Sequence, residues 1–309
     1  KIALTTARDG ELWLWDVERA RLIQGPFTFG MKPIPWMTQI SDERTLVPGL
    51  RGRAVEIWDR VAGKSVVGPI VGDAYVQALT LSPDGGTLAT AGEGGIVQLW
   101  DVHTGQLRAR FDAVTKTIWA LRFSPDGRSL LAGGDGAAWL FDVSTGKQRC
   151  QPLPQSARVW EARFSSDGNR LLTICSDDYR DLHAGAVQLW DTLTGKPLGP
   201  PLAHPVAGLA AAFDPEGRLV ATGGFDGDVR FWDAATGTPV GPALIQSGPI
   251  PAIAFVSGTN LLAAAGKDGN LALWPVPDAR AGSPAEVRRW VESITGQELD
   301  ETGAVRELK

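Results

Sequence analysis

The stretch from His204 to Asp233, HPVAGLAAAFDPEGRLVATGGFDGDVRFWD, contains three short apolar runs separated by turn residues. Each run has the length of a β-strand. The runs are Gly208 to Phe213, Leu219 to Gly223 and Asp228 to Trp232. Between them lie Asp214 to Gly217 and Phe225 to Gly227, which hold the Pro, Asp and Gly combinations of tight turns. The stretch therefore predicts three strands, and the turn at Ala235 to Gly237 predicts a fourth strand after them.

A Trp-Asp pair ends this stretch and recurs along the chain every 41 to 49 residues. The pairs are Trp15-Asp16, Trp58-Asp59, Trp100-Asp101, Trp190-Asp191 and Trp232-Asp233, with Phe141-Asp142 and Trp274-Pro275 as variants. Turn residues recur in phase with them, as in Ser82-Pro-Asp-Gly85 and Ser124-Pro-Asp-Gly127. A period near 42 residues is typical of four-stranded propeller blades. On these residues the chain resembles the WD-repeat family of β-propellers from Lys1 to Pro275.

The resemblance implies an all-β fold, a seven-bladed β-propeller of four-stranded antiparallel blades. Seven Trp-Asp positions face only six candidates for an innermost strand, so we expect the first blade to be incomplete. Those candidates are Pro35 to Ile40, Val76 to Leu81, Ile118 to Phe123, Val159 to Phe164, Gly208 to Phe213 and Ile250 to Phe255. We expect residues 1–277 to form the propeller and residues 278–309 to form a tail packed on it.

The tail predicts a short C-terminal helix followed by extended chain. Ser283, Pro284 and Glu286 match a helix start with a capping box, and Val287, Trp290, Val291 and Ile294 follow with helical spacing. The tail also resembles the end of bacterial, planctomycete-type WD-repeat proteins that often carry a serine/threonine kinase domain. That resemblance implies a kinase or another signalling module upstream of Lys1. The chain itself has no His-Arg-Asp or Asp-Phe-Gly motif.

Composition narrows the classes of partner and compartment. A net charge of −5 gives no electrostatic reason to expect nucleic acid. The two cysteines are too few for a disulfide framework, so we predict a reducing, cytoplasmic location. Their spacing matches no metal site, and we predict that the protein binds no metal or cofactor. No apolar run approaches the ~20 residues that cross a bilayer, so we predict no membrane insertion of this segment.

The family resemblance also implies a buried hydrogen-bonded tetrad in many blades. It links a His before the inner strand, a Ser or Thr on the second strand, an Asp in the following turn and the Trp. The matching residues are His204, Thr222, Asp226 and Trp232, and only this repeat carries all four. A His-Asp pair is also a feature of catalytic sites, but no nucleophile motif accompanies it. We therefore predict a structural role and no enzymatic activity.

Departures from the repeat mark candidate partner-binding residues. An insertion between Cys175 and Ala186 contains Tyr179, Arg180 and His183, and an apolar Phe225 stands in a turn. A third group lies near the starts of inner strands and consists of Trp36, Trp119 and Trp160 with Tyr75 and Arg158. Arg51 and Arg53 are expected on the same side. Aromatic residues and Arg are enriched at interface hot spots, although a solvated insertion and inter-blade packing explain these residues as well.

The sequence thus leaves two functional hypotheses and opposes a third. The first is a non-catalytic scaffold that binds a protein partner through loops on one face of the propeller. The alternative is a sensor or regulatory domain of a bacterial serine/threonine kinase that binds a partner or small ligand. An enzyme is disfavoured because the three histidines are dispersed and no metal-ligand cluster is present.

Overall fold

The computed structural model describes most of the chain from residue 64 to residue 277. The described residues are 2–6, 11–16, 21–28, 38–39, 44–48, 54–59, 64–73, 75–113, 115–176, 185–204, 208–256, 258–277, 297–299 and 305–307. They are arranged in two compact units, Lys1–Arg149 and Cys150–Lys309. All regular elements among them are β-strands.

In the first unit, the consecutive strands of each sheet pair antiparallel. The first sheet contains three described strands, β1 (Ile2–Thr6), β2 (Glu11–Asp16) and β3 (Arg21–Thr28). The second contains β4 (Thr38–Gln39), β5 (Arg44–Pro48), β6 (Ala54–Asp59) and β7 (Lys64–Val71). The third contains β8 (Val76–Leu81), β9 (Thr87–Gly92), β10 (Ile96–Asp101) and β11 (Leu107–Asp112). β12 (Ile118–Phe123) and the long β13 (Ser129–Asp142) follow.

The second unit repeats the same up-and-down order. Its first strands are β14 (Leu153–Phe164), β15 (Arg170–Ser176) and β16 (Gly185–Asp191). The next sheet contains β17 (Gly208–Phe213), β18 (Leu219–Gly224), β19 (Asp228–Asp233) and β20 (Leu244–Ile245). It is followed by β21 (Ala252–Val256), β22 (Leu261–Ala265) and β23 (Leu271–Pro275), and by a separate pair, β24 (Gln297–Leu299) with β25 (Val305–Glu307).

The third strand β19 packs against apolar residues on both of its faces. In β19, Val229 and Phe231 pack with Ile250, Ile253 and Leu262 of the following sheet. Trp232, the next residue, points the other way and packs with Val187 and Leu189 of the preceding sheet. Successive side chains of a strand point to opposite faces, so β19 contacts both the preceding and the following sheet. The same division holds in β10, where Leu99 and Trp100 lie in different apolar clusters.

These strands confirm the predicted fold class, an all-β propeller built of antiparallel blades. Three inner strands, β8, β12 and β17, have the predicted bounds. The first sheet has no innermost strand among its described residues, as expected. The predicted helix at residues 283–296 lies outside the described residues, and the division into domains 1–277 and 278–309 stays a prediction.

Candidate functional site

The polar residues predicted to form a tetrad lie together in the sheet β17–β20. Thr222 on β18 is fully buried, and its hydroxyl oxygen lies 2.7 Å from His204 Nε2. The indole N–H of Trp232 donates to the same oxygen across 2.8 Å. His204 Nδ1 is 3.6 Å from Asp226 Oδ1, which is an electrostatic contact longer than a hydrogen bond. Asp226 in turn accepts the backbone N–H of Asp228 and so holds the turn into β19.

Burial decides the charge state of this group. The His204 side chain is 1% exposed, and desolvation lowers its pKa, with the neighbouring Asp226 carboxylate acting in the opposite direction. Gly224 is required beside the pair, because a Cβ there would lie 2.1 Å from Asp226 Oδ1 and 2.5 Å from His204 Nδ1. The arrangement has the character of a packed structural group around an uncharged histidine, and its structural role remains our prediction.

Parts of the same arrangement occur in two other sheets, and the residue in the His position escaped sequence reasoning. Trp190 donates to the buried Thr173 hydroxyl across 2.9 Å, and Thr173 donates to Gln155 Oε1 across 3.1 Å. Gln155 thus takes the place that His204 has relative to Thr222. In the first unit, Trp100 donates to Thr90 across 2.8 Å. Gln155 is 18 residues before Thr173, as His204 is before Thr222, and it was missed because the pattern requires a histidine at that place.

Two of the predicted binding residues, Tyr75 and Trp119, lie in the described part of the first unit. Tyr75 precedes β8 and is 52% exposed. Its carbonyl oxygen would be 1.7 Å from a Cβ on Gly92, so glycine is needed where the loop crosses β9. Trp119 lies where the β12–β13 register shifts, and its indole N–H donates to Asp135 Oδ1 across 3.1 Å. A β-bulge of this kind re-aims a side chain at the end of a strand.

The second unit repeats this feature in β14. Trp160 lies at the register shift between Val159 and Glu161, and its indole N–H donates to the carbonyl oxygen of Ser176 across 3.3 Å. The guanidinium carbon of Arg158 lies 5.1 Å from the centre of the Trp160 ring. This is a cation–π arrangement, and it brings together two of the predicted binding residues.

Phe225 occupies the position that Ser176 and Asp135 have in their own sheets, three residues after the second-strand Thr222, Thr173 or Ala132. In its sheet the residue at the register shift is Leu209. Leu209 needs no side-chain acceptor of the kind that Asp135 gives Trp119, so an apolar residue at position 225 leaves no indole donor unpaired. Phe225 is partly exposed.

The remaining candidates lie outside the described residues, and their placement stays a prediction. They are Trp36, Arg51, Arg53, Tyr179, Arg180 and His183. Most of the tail that resembles kinase-linked proteins is also outside them, apart from the β24–β25 pair. Linkage to a kinase therefore stays a prediction.

In the described ranges, no group of three or more His, Cys, Asp or Glu side chains is arranged to hold a metal ion. Neither cysteine forms a disulfide; Cys175 is buried and Cys150 is partly buried. Within the same residues, no helix has the length and apolar character needed to cross a bilayer.

Comparisons with known proteins agree with this architecture. Residues 65–101, 105–142 and 195–233 match the family model WD40, described as "WD domain, G-beta repeat". The small ribosomal subunit protein RACK1y of Oryza sativa subsp. japonica is 35% identical over 81 residues, which are 26% of this chain. The match spans 24% of the length of that relative. The crystal structure of the computationally designed Ika8 protein matches 89% of this chain and 80% of its own, with a TM-score of 0.74 and 22% identity.

Proposed function

We propose, from the premise that this chain contains WD40 repeats, that it is a non-catalytic scaffold that binds other proteins. The binding residues in this proposal lie at the sheet ends where the inner strands begin. In each antiparallel sheet, the entry to the inner strand and the turn between the second and third strands lie at that same end. Loops presented by a rigid scaffold are suited to recognition.

The observation that carries the proposal is a tryptophan at the register shift of two strand pairs, Trp119 in β12–β13 and Trp160 in β14–β15. Trp160 is accompanied by Arg158 stacked on its ring, and Trp119 lies in the unit that presents Tyr75. Both tryptophans are partly exposed. Rigid aromatic side chains lose little conformational entropy on binding and carry much of the energy of protein interfaces.

The strands that carry Trp160 offer a matched control at their opposite end. Leu193 lies in the turn after β16 and is 82% exposed. It is an apolar surface residue like Trp160, but the turn that holds it is built from Asp191 contacts at the other end of the strands. The pair of sites therefore separates binding at one sheet end from general stickiness.

The test is affinity capture from lysate of the source cell with three baits: the wild type, Arg158→Ser/Trp160→Ser and Leu193→Ser. Circular dichroism melting curves first establish that each bait is folded. We expect partner proteins to be retained by the wild type and by Leu193→Ser and to be lost from the double variant. Loss from Leu193→Ser alone would place binding at the other end, and no capture above background by the wild type would contradict the scaffold function.

A further inference from the structure

The sheets β17–β20 and β21–β23 share their strand register at an offset of 42 residues. Thr222 pairs with Arg230 and Ala264 pairs with Ala272. The turns also agree, since Asp226 accepts the backbone N–H two residues on across 3.1 Å and Asp268 does so across 3.0 Å. The backbone that supports the tetrad in one sheet is therefore present in the next.

Three of the four tetrad positions keep a polar side chain in the sheet β21–β23. Asp268 and Trp274 stand where Asp226 and Trp232 stand, and Gln246 stands where His204 does. A Cβ on Gly266 would lie 2.9 Å from Gln246 Nε2 and 2.3 Å from Asp268 Oδ1. The corresponding Cβ on Gly224 meets His204 and Asp226 in the same way, so Gln246 fills the His position in space as well as in sequence.

The fourth position has lost its hydroxyl. The residue equivalent to Thr222 is Ala264, which is fully buried. In the sheet β17–β20, the Thr222 hydroxyl makes hydrogen bonds with both Trp232 and His204. At the equivalent place in the sheet β21–β23, Trp274 Nε1 and both polar atoms of the Gln246 side-chain amide are shielded from solvent. None of these three atoms has a hydrogen-bond partner in the described part of the chain. Leaving such groups unpaired is unfavourable for folding.

We propose that one ordered water molecule binds beside Ala264 and takes the place of the missing threonine hydroxyl. It accepts the indole N–H of Trp274 and donates to Gln246 Oε1. Alanine lacks the hydroxyl and methyl groups of threonine, and a water takes about 30 Å³ in the liquid. The ligand must accept a hydrogen bond, because an indole N–H only donates, which excludes a cation. The Asp268 carboxylate beside Gln246 disfavours an anion.

The test compares the intact chain with three variants at one position. Ala264→Thr and Ala264→Ser supply the hydroxyl, and Ala264→Val fills the same volume as threonine without it. We expect a high-resolution crystal structure of the wild type to show a water within about 3 Å of Trp274 Nε1. In Ala264→Thr or Ala264→Ser, the new hydroxyl is expected to replace that water.

Melting temperatures give an independent readout. We expect Ala264→Thr or the smaller Ala264→Ser to melt about 2 °C or more above Ala264→Val, because only the hydroxyl variants pair both buried groups within the protein. A wild-type structure in which Trp274 Nε1 faces a protein acceptor or no water overturns the proposal. Equal melting of all three variants, with the water retained in each, also overturns it.

Discussion

The Nε2 atom of His204 lies 2.7 Å from the hydroxyl oxygen of Thr222 and joins the segment before β17 to the middle of β18. Trp232 donates its N–H to that same oxygen, which leaves the Thr222 O–H free to donate to an unprotonated Nε2. The ring proton then belongs on Nδ1, facing the Asp226 carboxylate. This tautomer is inferred from the network of partners, and it accounts for a histidine that is both buried and neutral.

The pKa of His204 is lowered by burial, and this predicts a pH dependence of stability. The unfolded chain takes up a proton near pH 6.5, the ordinary value for histidine, while the folded group stays neutral. The contribution to stability is therefore complete above about pH 6.5 and is lost as pH falls from there toward the folded pKa. We expect His204→Gln, which copies Gln155 and Gln246, to remove this dependence. Denaturation midpoints between pH 5 and 8 would show it, and parallel curves for the two proteins would contradict it.

Phe231 and Leu273 are equivalent residues 42 positions apart, but they differ in exposure. Phe231 is 1% exposed and Leu273 is 56% exposed. We expect Phe231→Ala to destabilise the protein by about 3–5 kcal/mol, the usual cost for a buried Phe, and Leu273→Ala to change stability by less than about 1 kcal/mol. Urea denaturation measures both. A large loss for Leu273→Ala would mean that this face is covered in solution.

Gly224 has no room for a side chain, and Gly86 provides the control. A Cβ at position 224 would meet Asp226 Oδ1 at 2.1 Å, whereas at position 86 its nearest contact is 3.6 Å. We expect Gly224→Ala to destabilise by about 1–3 kcal/mol and to displace His204. Gly86→Ala is expected to be neutral or stabilising by up to about 1 kcal/mol. Thermal unfolding distinguishes the two, and similar melting temperatures would show that the turn at Asp226 shifts without cost.

Asp142 holds the turn after β13 and should contribute to stability in mild acid. Hydrogen bonds to its carboxylate lower its pKa to about 2. The bond from the Ser144 hydroxyl has the largest effect, followed by those from the backbone N–H and the hydroxyl of Thr145. The contribution is complete above the ordinary value of 3.8 and is lost as pH falls toward about 2. Asp142→Asn keeps the acceptor oxygen but does not titrate. We expect its stability to fall less than that of the wild type between pH 4 and 2, with Asp112→Asn as the exposed control. Superimposable acid curves for Asp142→Asn and the wild type would contradict this role.

Local chemistry allowed the strand order to be predicted from the sequence. The turns at Ser82, Ser124 and Ser165 use short-range bonds, such as the serine hydroxyl accepting the N–H five residues on. Glycines with positive φ, such as Gly85 and Gly127, complete them. Because these interactions span only a few residues, the period of turns and tryptophans was enough to place β8, β12, β17, β18 and β19 within a residue or two.

The candidate site was only partly accessible to such reasoning. The His204, Thr222, Asp226 and Trp232 set could be read from its fixed spacing within one repeat. The role of Gln155 could not, because a glutamine at the same 18-residue spacing does not match a pattern that requires histidine. The stacking of Arg158 on Trp160 and the acceptor at Ser176 depend on how a register shift turns the side chain, which the residue letters do not specify.

The sequence by itself determined the repeat, the all-β class and the positions of β8, β12, β17, β18 and β19, because turn chemistry and strand alternation act over a few neighbouring residues. Only the tertiary structure decided which equivalent residues are buried. Phe231 is covered by Ile250, Ile253 and Leu262 of the following sheet, while Leu273 at the same repeat position is exposed. The physical reason is that burial depends on sheets distant in sequence packing face to face.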